Sequence, residues 1–157
     1  MQLFWCKGYE SSSLQALLDT MGLSKSSFYQ TFKSKHLLFQ SCIRHYRQML
    51  TGEMTSQLKE SGSGKLFIKN LFQSVADETC GLNARRGCLL MNVASEFAQT
   101  DSKISELVSS SIENFIDVFE KAIQQAQQQG EIPSSKEARS LAINRCINIG
   151  TNHCRPS

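Results

Sequence analysis

Apolar residues recur three and four positions apart along nearly all of this 157-residue chain, and no segment alternates apolar with polar residues long enough to make a strand. That spacing gathers side chains onto one face only when the backbone is helical, so the fold is predicted to be all-α. With 40% hydrophobic residues and only two prolines, there is enough apolar surface for a core and little to interrupt the helices.

Three helix starts follow one another in the first third. Leu14, Leu17, Leu18 and Met21 share a face, and Ser12 with Gln15 forms an S-x-x-Q capping box ahead of them. Gly22 ends that helix. Ser24 then caps a second one that begins at Lys25, with Leu23 outside the cap and placed to pack on Phe28. Phe28 and Phe32 lie one turn apart on the inner face, which turns Lys25, Ser26, Tyr29 and Gln30 outward. Ser34 caps a third helix, from Lys35 to about Glu53, with Leu38, Cys42, Tyr46 and Met49 expected inward.

Ser61-Gly62-Ser63-Gly64 reads either as a linker or as a turn between packed helices. Beyond it, periodicity predicts helices at about 65–80, 88–99, 102–129 and 136–149. The third of these carries the stripe Ile104, Val108, Ser111, Ile112, Phe115, Phe119, Ala122, Ile123 and Ala126, with Gly130 as its stop. No repeat at solenoid periods is present.

Charge is unevenly divided. Residues 1–50 carry six Lys and Arg against Glu10 and Asp19, a balance of +4, whereas residues 51–157 carry 11 against 12 acids, or −1. One module that meets a polyanion and one that does not would divide charge this way, and so would an ordinary solvated face. No run of about 18 apolar residues occurs. Met1 to Cys6 lacks the basic start and the length of a signal peptide, so a cytoplasmic protein without membrane contact is expected. Cys6, Cys42, Cys80, Cys88, Cys146 and Cys154 form no CxxC pair and are expected to be reduced. Cys146, His153 and Cys154 fit no common zinc spacing. No metal or cofactor is expected. Nor does a G-x-S-x-G, H-E-x-x-H, Walker-type or G-x-G-x-x-G motif point to an enzyme.

Two short helices joined by a tight turn, followed by a helix that starts basic, make the layout of a DNA-reading helix-turn-helix. The second helix must enter the major groove, so its outer face near the N-terminus needs small or polar side chains. Lys25, Ser26 and Ser27 meet that need. The unpaired N–H groups at Ser24 to Ser27 favour phosphate, Tyr29 can donate to a phosphate oxygen, and Lys35 adds a flanking charge. The inner face already holds Phe28 and Phe32, so the outward reading of Tyr29 prevails over a core one. His36 and His45 read as surface packing or phosphate contacts rather than catalytic groups.

The run Gly22-Leu23-Ser24-Lys25-Ser26-Ser27-Phe28-Tyr29-Gln30-Thr31-Phe32-Lys33-Ser34-Lys35, followed by Leu37 and Leu38, resembles the TetR family of transcriptional regulators. Phe4, Gly8-Tyr9 and Ser12-Ser13-Leu14 are similar to the family's segment just upstream. The resemblance implies a repressor that binds a palindromic double-stranded DNA operator as a homodimer and is released when a small-molecule inducer enters the C-terminal body. It puts Ser12 or Ser13 near phosphate, Lys25, Ser26 and Ser27 at base edges or phosphates with Gln30 on the same face, and Tyr29 and Lys35 on the DNA backbone. Ser26, Thr31 and His36 depart from the family's usual Gly or Pro, His or Tyr, and acid.

The body resembles the family through Arg86-Gly87-Cys88-Leu89-Leu90-Met91-Asn92 and through Gln128-Gln129-Gly130-Glu131-Ile132. The Gly-Cys-Leu element is similar to one that recurs in one branch of the family, and some members related to that branch sense electrophiles or oxidants through cysteine, which makes Cys88, beside Arg85 and Arg86, the candidate sensor. An inert packed thiol is the alternative. Phe72, Met91, Phe97 and Phe115 are candidate pocket residues, as are Phe67, Leu71 and Val93, although each also suits a core. The domains implied are a DNA-binding unit at 1–50 and a ligand-binding and dimerisation unit at 51–157. The family's first helix normally begins further upstream. Residues 148–157 lack an amphipathic pattern and resemble a truncated ending, so a second reading is a dimerisation or interaction protein that keeps the fold but has lost operator binding.

Overall fold

The computed structural model describes residues 1–79, 88–97, 100–135 and 137–144. Every regular element among the described residues is a helix: α1 Gln2–Lys7, α2 Leu14–Met21, α3 Lys25–Phe32, α4 Lys35–Ser61, α5 Gly64–Thr79, α6 Leu89–Phe97 and α7 Ser102–Gln128. Residues 138–144 are helical as well, within the segment predicted at 136–149. Cys80, Arg85, Arg86 and Gly87 lie outside the described residues, as do Cys146, His153, Cys154 and the rest of the atypical tail. No helix among the described residues is long and apolar enough to cross a membrane.

The three predicted starts form with one change of register. Ser24 accepts from Ser27 N, Ser34 accepts from Leu37 N, and Gly22 closes α2 in the left-handed conformation at φ 63°. At α2, however, the cap is Ser13 rather than Ser12. Ser13 Oγ accepts from Ala16 N at 3.2 Å, while Gln15 bonds Asp19 within the helix, so the capping box does not form. Ser12 Oγ instead donates to Gly8 O at 2.6 Å and is buried.

α4 runs past Glu53 to Ser61, where Gly62 at φ 64° stops it. Its buried stripe follows Phe39, Ile43, Tyr46, Met54 and Leu58, with Leu50 half-buried between them. Met49, expected inward, stands one residue off that stripe, about 100° around a helix of 3.6 residues per turn, and is 45% exposed. Leu38 and Tyr46 are buried and Cys42 is half-buried.

The serine-glycine segment is a turn between packed helices. Ser63 donates to the Glu131 carboxylate, Lys65 N donates to the same group at 3.2 Å, and Gln129 Nε2 donates to Gly62 O at 2.9 Å. Gly64 lies against the backbone of Ala122 and Ala126, where a Cβ would collide with the Ala122 carbonyl. Only glycine permits this approach of α5 to α7.

Among the described residues two apolar clusters fill the interior. The first joins Phe4, Leu17, Leu18, Phe28, Leu38, Phe39 and Ile43 of the N-terminal helices to Leu90, Val93 and Phe97 of α6 and to Ile104 and Val108 of α7. The second gathers Met54, Leu58, Phe67, Ile116, Phe119, Ala122, Ile123, Ala138 and Ala142. Leu50, Ile112 and Phe115 are partly buried and pack against both. α7 meets α4, α5 and α6, so its buried arc is wider than a single stripe: Ile116 and Val118 are buried too, while Ile112 and Phe115 are not fully enclosed. The N-terminal helices are thus seated on the body through shared apolar packing, which fixes how the outer face of α3 is presented.

Candidate nucleic-acid interface

Helix α3 has one inner anchor. Phe28 is fully buried and its ring lies 5.5 Å from that of the half-buried Phe32. Around the same helix Lys25, Ser26, Ser27, Tyr29 and Gln30 are all exposed, Tyr29 by 43%. Small and polar groups therefore occupy the first turn and a phenol the second. At the N-terminus Ser24 Oγ satisfies Ser27 N at 3.1 Å and meets Ser27 Oγ at 2.9 Å, an arrangement that holds the Ser27 hydroxyl over the open helix end. The remaining first-turn N–H groups and the positive dipole end face outward beside Lys25.

The exit from α3 is unusual. Lys33 adopts φ 65° and ψ −39°, and Ser34 N donates to Phe32 O at 2.7 Å, which closes a γ-turn centred on a non-glycine residue. Lys33 Nζ returns to donate to Gln30 O at 2.8 Å, a cation on the carbonyl end of the helix. This turn sets the angle between α3 and α4.

Lys35, expected to add a flanking charge, is half-buried, with Nζ 4.3 Å above the centroid of the Tyr9 ring. Tyr9 sits where the N-terminal helices meet the body: its ring lies 4.9 Å from Phe39, 5.5 Å from Phe97 and 6.3 Å from His36. Burial, followed by the nearby carboxylates of Glu10 and Asp101, pushes the Tyr9 phenol above its ordinary value, so the ring stays neutral at physiological pH. Two carboxylates of the body reach across. Glu96 accepts from Tyr9 N and Glu10 N, each at 3.4 Å. Asp101 caps α7 through Ile104 N and places its second oxygen 3.4 Å from His36 Nε2. His36 therefore sits at the junction of the N-terminal helices and the body, edge-on to the Tyr9 ring. The sequence signal for this junction is confined to Gly8-Tyr9; nothing near Glu96 or Asp101 announces a partner some sixty-five to ninety positions away.

Of the two serines assigned to phosphate, Ser13 is exposed at the N-terminus of α2, whereas Ser12 is enclosed with its hydroxyl committed to Gly8 O. The candidate ligand residues do not gather at one place. Phe97 is buried between Tyr9 and Phe39 at the junction. Phe72 is half-buried on α5 and Met91 half-buried on α6, while Phe115 bridges the two cores. Phe67 and Val93 are core residues, and Leu71 is half-buried. Cys88 is half-buried just ahead of α6, and its carbonyl accepts from Asn92 N at 3.0 Å. Arg85 and Arg86, beside it in the sequence, are outside the described residues.

Comparison with known proteins agrees with this geometry. Among curated proteins, an uncharacterised HTH-type transcriptional regulator of Bacillus subtilis (strain 168), YezE, is 26% identical over 148 residues, covering 94% of this chain and 76% of that protein. The HTH-type transcriptional repressor ComR of Escherichia coli (strain K12) is 25% identical, covering 90% and 68%. Among solved structures, the reduced form of E. coli NemR superposes with a TM-score of 0.87 at 19% identity, covering 97% of this chain and 80% of that one. A cysteine mutant of the TetR family regulator CifR, solved with 26-bp double-strand operator DNA, superposes with a TM-score of 0.80 at 21% identity, covering 96% and 81%. Residues 1–42 match the family described as bacterial regulatory proteins, tetR family, and residues 67–152 match that described as tetracyclin repressor-like, C-terminal domain. The chain belongs to the TetR family of DNA-binding transcriptional regulators.

Proposed function

We propose that this protein is a cytoplasmic transcriptional repressor that binds a palindromic operator as a homodimer and is released by a small-molecule or electrophilic inducer. The observation that carries the reading is the division of α3: Phe28 fixes the inner face, and Lys25, Ser26, Ser27, Tyr29 and Gln30 stand together on the outer one. In this reading Lys25, Ser26, Ser27 and Gln30 meet base edges in the major groove, while Tyr29, Lys35 and Ser13 hold phosphates. Ser12 shapes the turn that presents Ser13. Residues 1–50 act as the DNA-binding unit and residues 51–157 as the ligand-binding and dimerisation unit.

ComR carries the description of a repressor, and CifR was solved on operator DNA. Both support assigning the same kind of work to this chain. NemR was solved in a reduced form and CifR as cysteine mutants, which supports Cys88 as the thiol through which an electrophile or oxidant would act. Phe72, Met91 and Phe115, none of them fully enclosed, would offer the apolar contacts for an inducer.

Two measurements test the proposal. Light scattering on the purified chain should give about twice 17.6 kDa. Titration onto duplex DNA should show affinity falling steeply as salt rises, because each neutralised phosphate contributes a slope of about −0.9 in log K against log salt. A monomer whose duplex binding is absent or indifferent to salt would refute it.

A further inference from the structure

Lys35 opens α4, and among the described residues no carboxylate pairs with it. Its ammonium rests on the face of the Tyr9 ring, at 4.3 Å. An aromatic face attracts a cation without cancelling its charge, and it leaves ammonium protons free for another acceptor. A carboxylate partner would have neutralised the same ammonium. Tyr9 in turn cannot move freely. Phe39 and Phe97 pack on its ring, and Glu96 of α6 accepts from the backbone N–H groups of Tyr9 and Glu10.

We propose that Tyr9 is a positioning residue for DNA binding: its ring holds the Lys35 ammonium at the edge of the reading surface, facing phosphate, while Phe97 packs on the ring and Glu96 holds the Tyr9 backbone from the body. The inference rests on the assignment of Lys35 to a phosphate made above. It adds a residue that touches no DNA itself and ties the placement of a phosphate contact to the end of α6. Ordering a lysine in advance reduces the entropy lost when it meets its anion.

The test uses the full chain and a duplex of mixed sequence, because a phosphate contact does not depend on base order. Tyr9→Phe keeps the ring and should bind like wild type. Replacing Tyr9 by trifluorophenylalanine keeps the shape and the packing on Phe39 and Phe97 but empties the π face. It should weaken binding about two- to fivefold for each bound protomer, in line with exposed cation–π pairs. Lys35→Met should reduce the salt slope by about 0.9 for each bound protomer, or about 1.8 for the dimer. In that background trifluorophenylalanine at position 9 should cost nothing more, which distinguishes positioning from general loss of fold. Without DNA, the Lys35 ε-methylene protons should show an upfield ring-current shift that Tyr9→Leu removes. An absent shift, an unaffected trifluorophenylalanine variant, or a full position-9 effect persisting in Lys35→Met would each overturn the inference. Failure of the wild-type chain to bind any duplex would instead overturn the DNA-binding reading beneath it.

Discussion

The γ-turn at Lys33 makes a quantitative prediction about how the reading helix is held. A non-glycine residue in this left-handed region carries strain of about 1–3 kcal/mol, which glycine does not share. Glycine also gives the unfolded chain more freedom, which offsets about 0.5–1 kcal/mol of the relief. Either Lys33→Gly or Lys33→Ala removes the ammonium from the Gln30 carbonyl, so that loss cancels when the two variants are compared. Lys33→Gly should therefore be more stable than Lys33→Ala by about 1 kcal/mol, or about 2–4 °C in Tm for a chain of this length. Thermal unfolding of both at one protein concentration reads the difference. Each variant has lost the same charge, so their salt slopes on duplex DNA should coincide. If Lys33→Ala equals or exceeds Lys33→Gly in stability, the turn is not strained and the account of the α3–α4 angle fails.

Three further outcomes follow from the geometry. Tyr29→Phe should weaken binding by about 1 kcal/mol, roughly fivefold, for each bound protomer, and by the same factor on unrelated duplexes, since a phosphate bond carries no base information; unchanged affinity at every salt concentration would remove Tyr29 from the interface. Gly64→Ala should cost about 1–3 kcal/mol, because the added methyl meets the Ala122 carbonyl rather than a side chain that can move, and a Tm equal to wild type would contradict the close approach of α5 and α7. The Tyr9 phenol is raised in the folded state, so its protonated form contributes stability that is present below the unfolded value of about 10 and is lost as pH rises through the folded one. Denaturant unfolding between pH 8 and about 11 should thus fall more steeply for wild type than for Tyr9→Phe, and parallel profiles would deny the coupling.

Elements decided by hydrogen bonds between near neighbours along the chain are legible in the sequence itself. Ser24, Ser34 and Gly22 act within four residues of their partners, and Phe28 and Phe32 establish which side of α3 faces out, so the exposed position of Tyr29 follows from spacing alone. Where two residues can do the same work, spacing does not choose. Ser12 and Ser13 are both capable caps, and the choice turns on the end of α1, where Gly8 O takes the Ser12 hydroxyl. Met49 departs from expectation because several adjacent apolar residues allow more than one stripe on a long helix, and packing against α7 selects the one through Leu50 and Met54. The junction is the least legible part. Glu96 with Tyr9, and Asp101 with His36, meet only after the body folds back on the N-terminal helices, and an exposed acid has no periodicity to betray such a partner. The ligand candidates do not converge for a related reason. An aromatic residue at helical spacing looks the same whether it lines a cavity or, like Phe97, locks two units together.

In the proposed function, α3 reads base sequence from two copies of the chain at once. Selection of tight binders from a pool of random duplexes tests it most directly. The expected result is enrichment of a palindromic sequence whose half-sites present successive major grooves on one face, about 34 Å apart or a multiple of that, and its loss when Lys25 and Ser27 are replaced by alanine. An unenriched pool, or a single unrepeated half-site that survives those replacements, would contradict it.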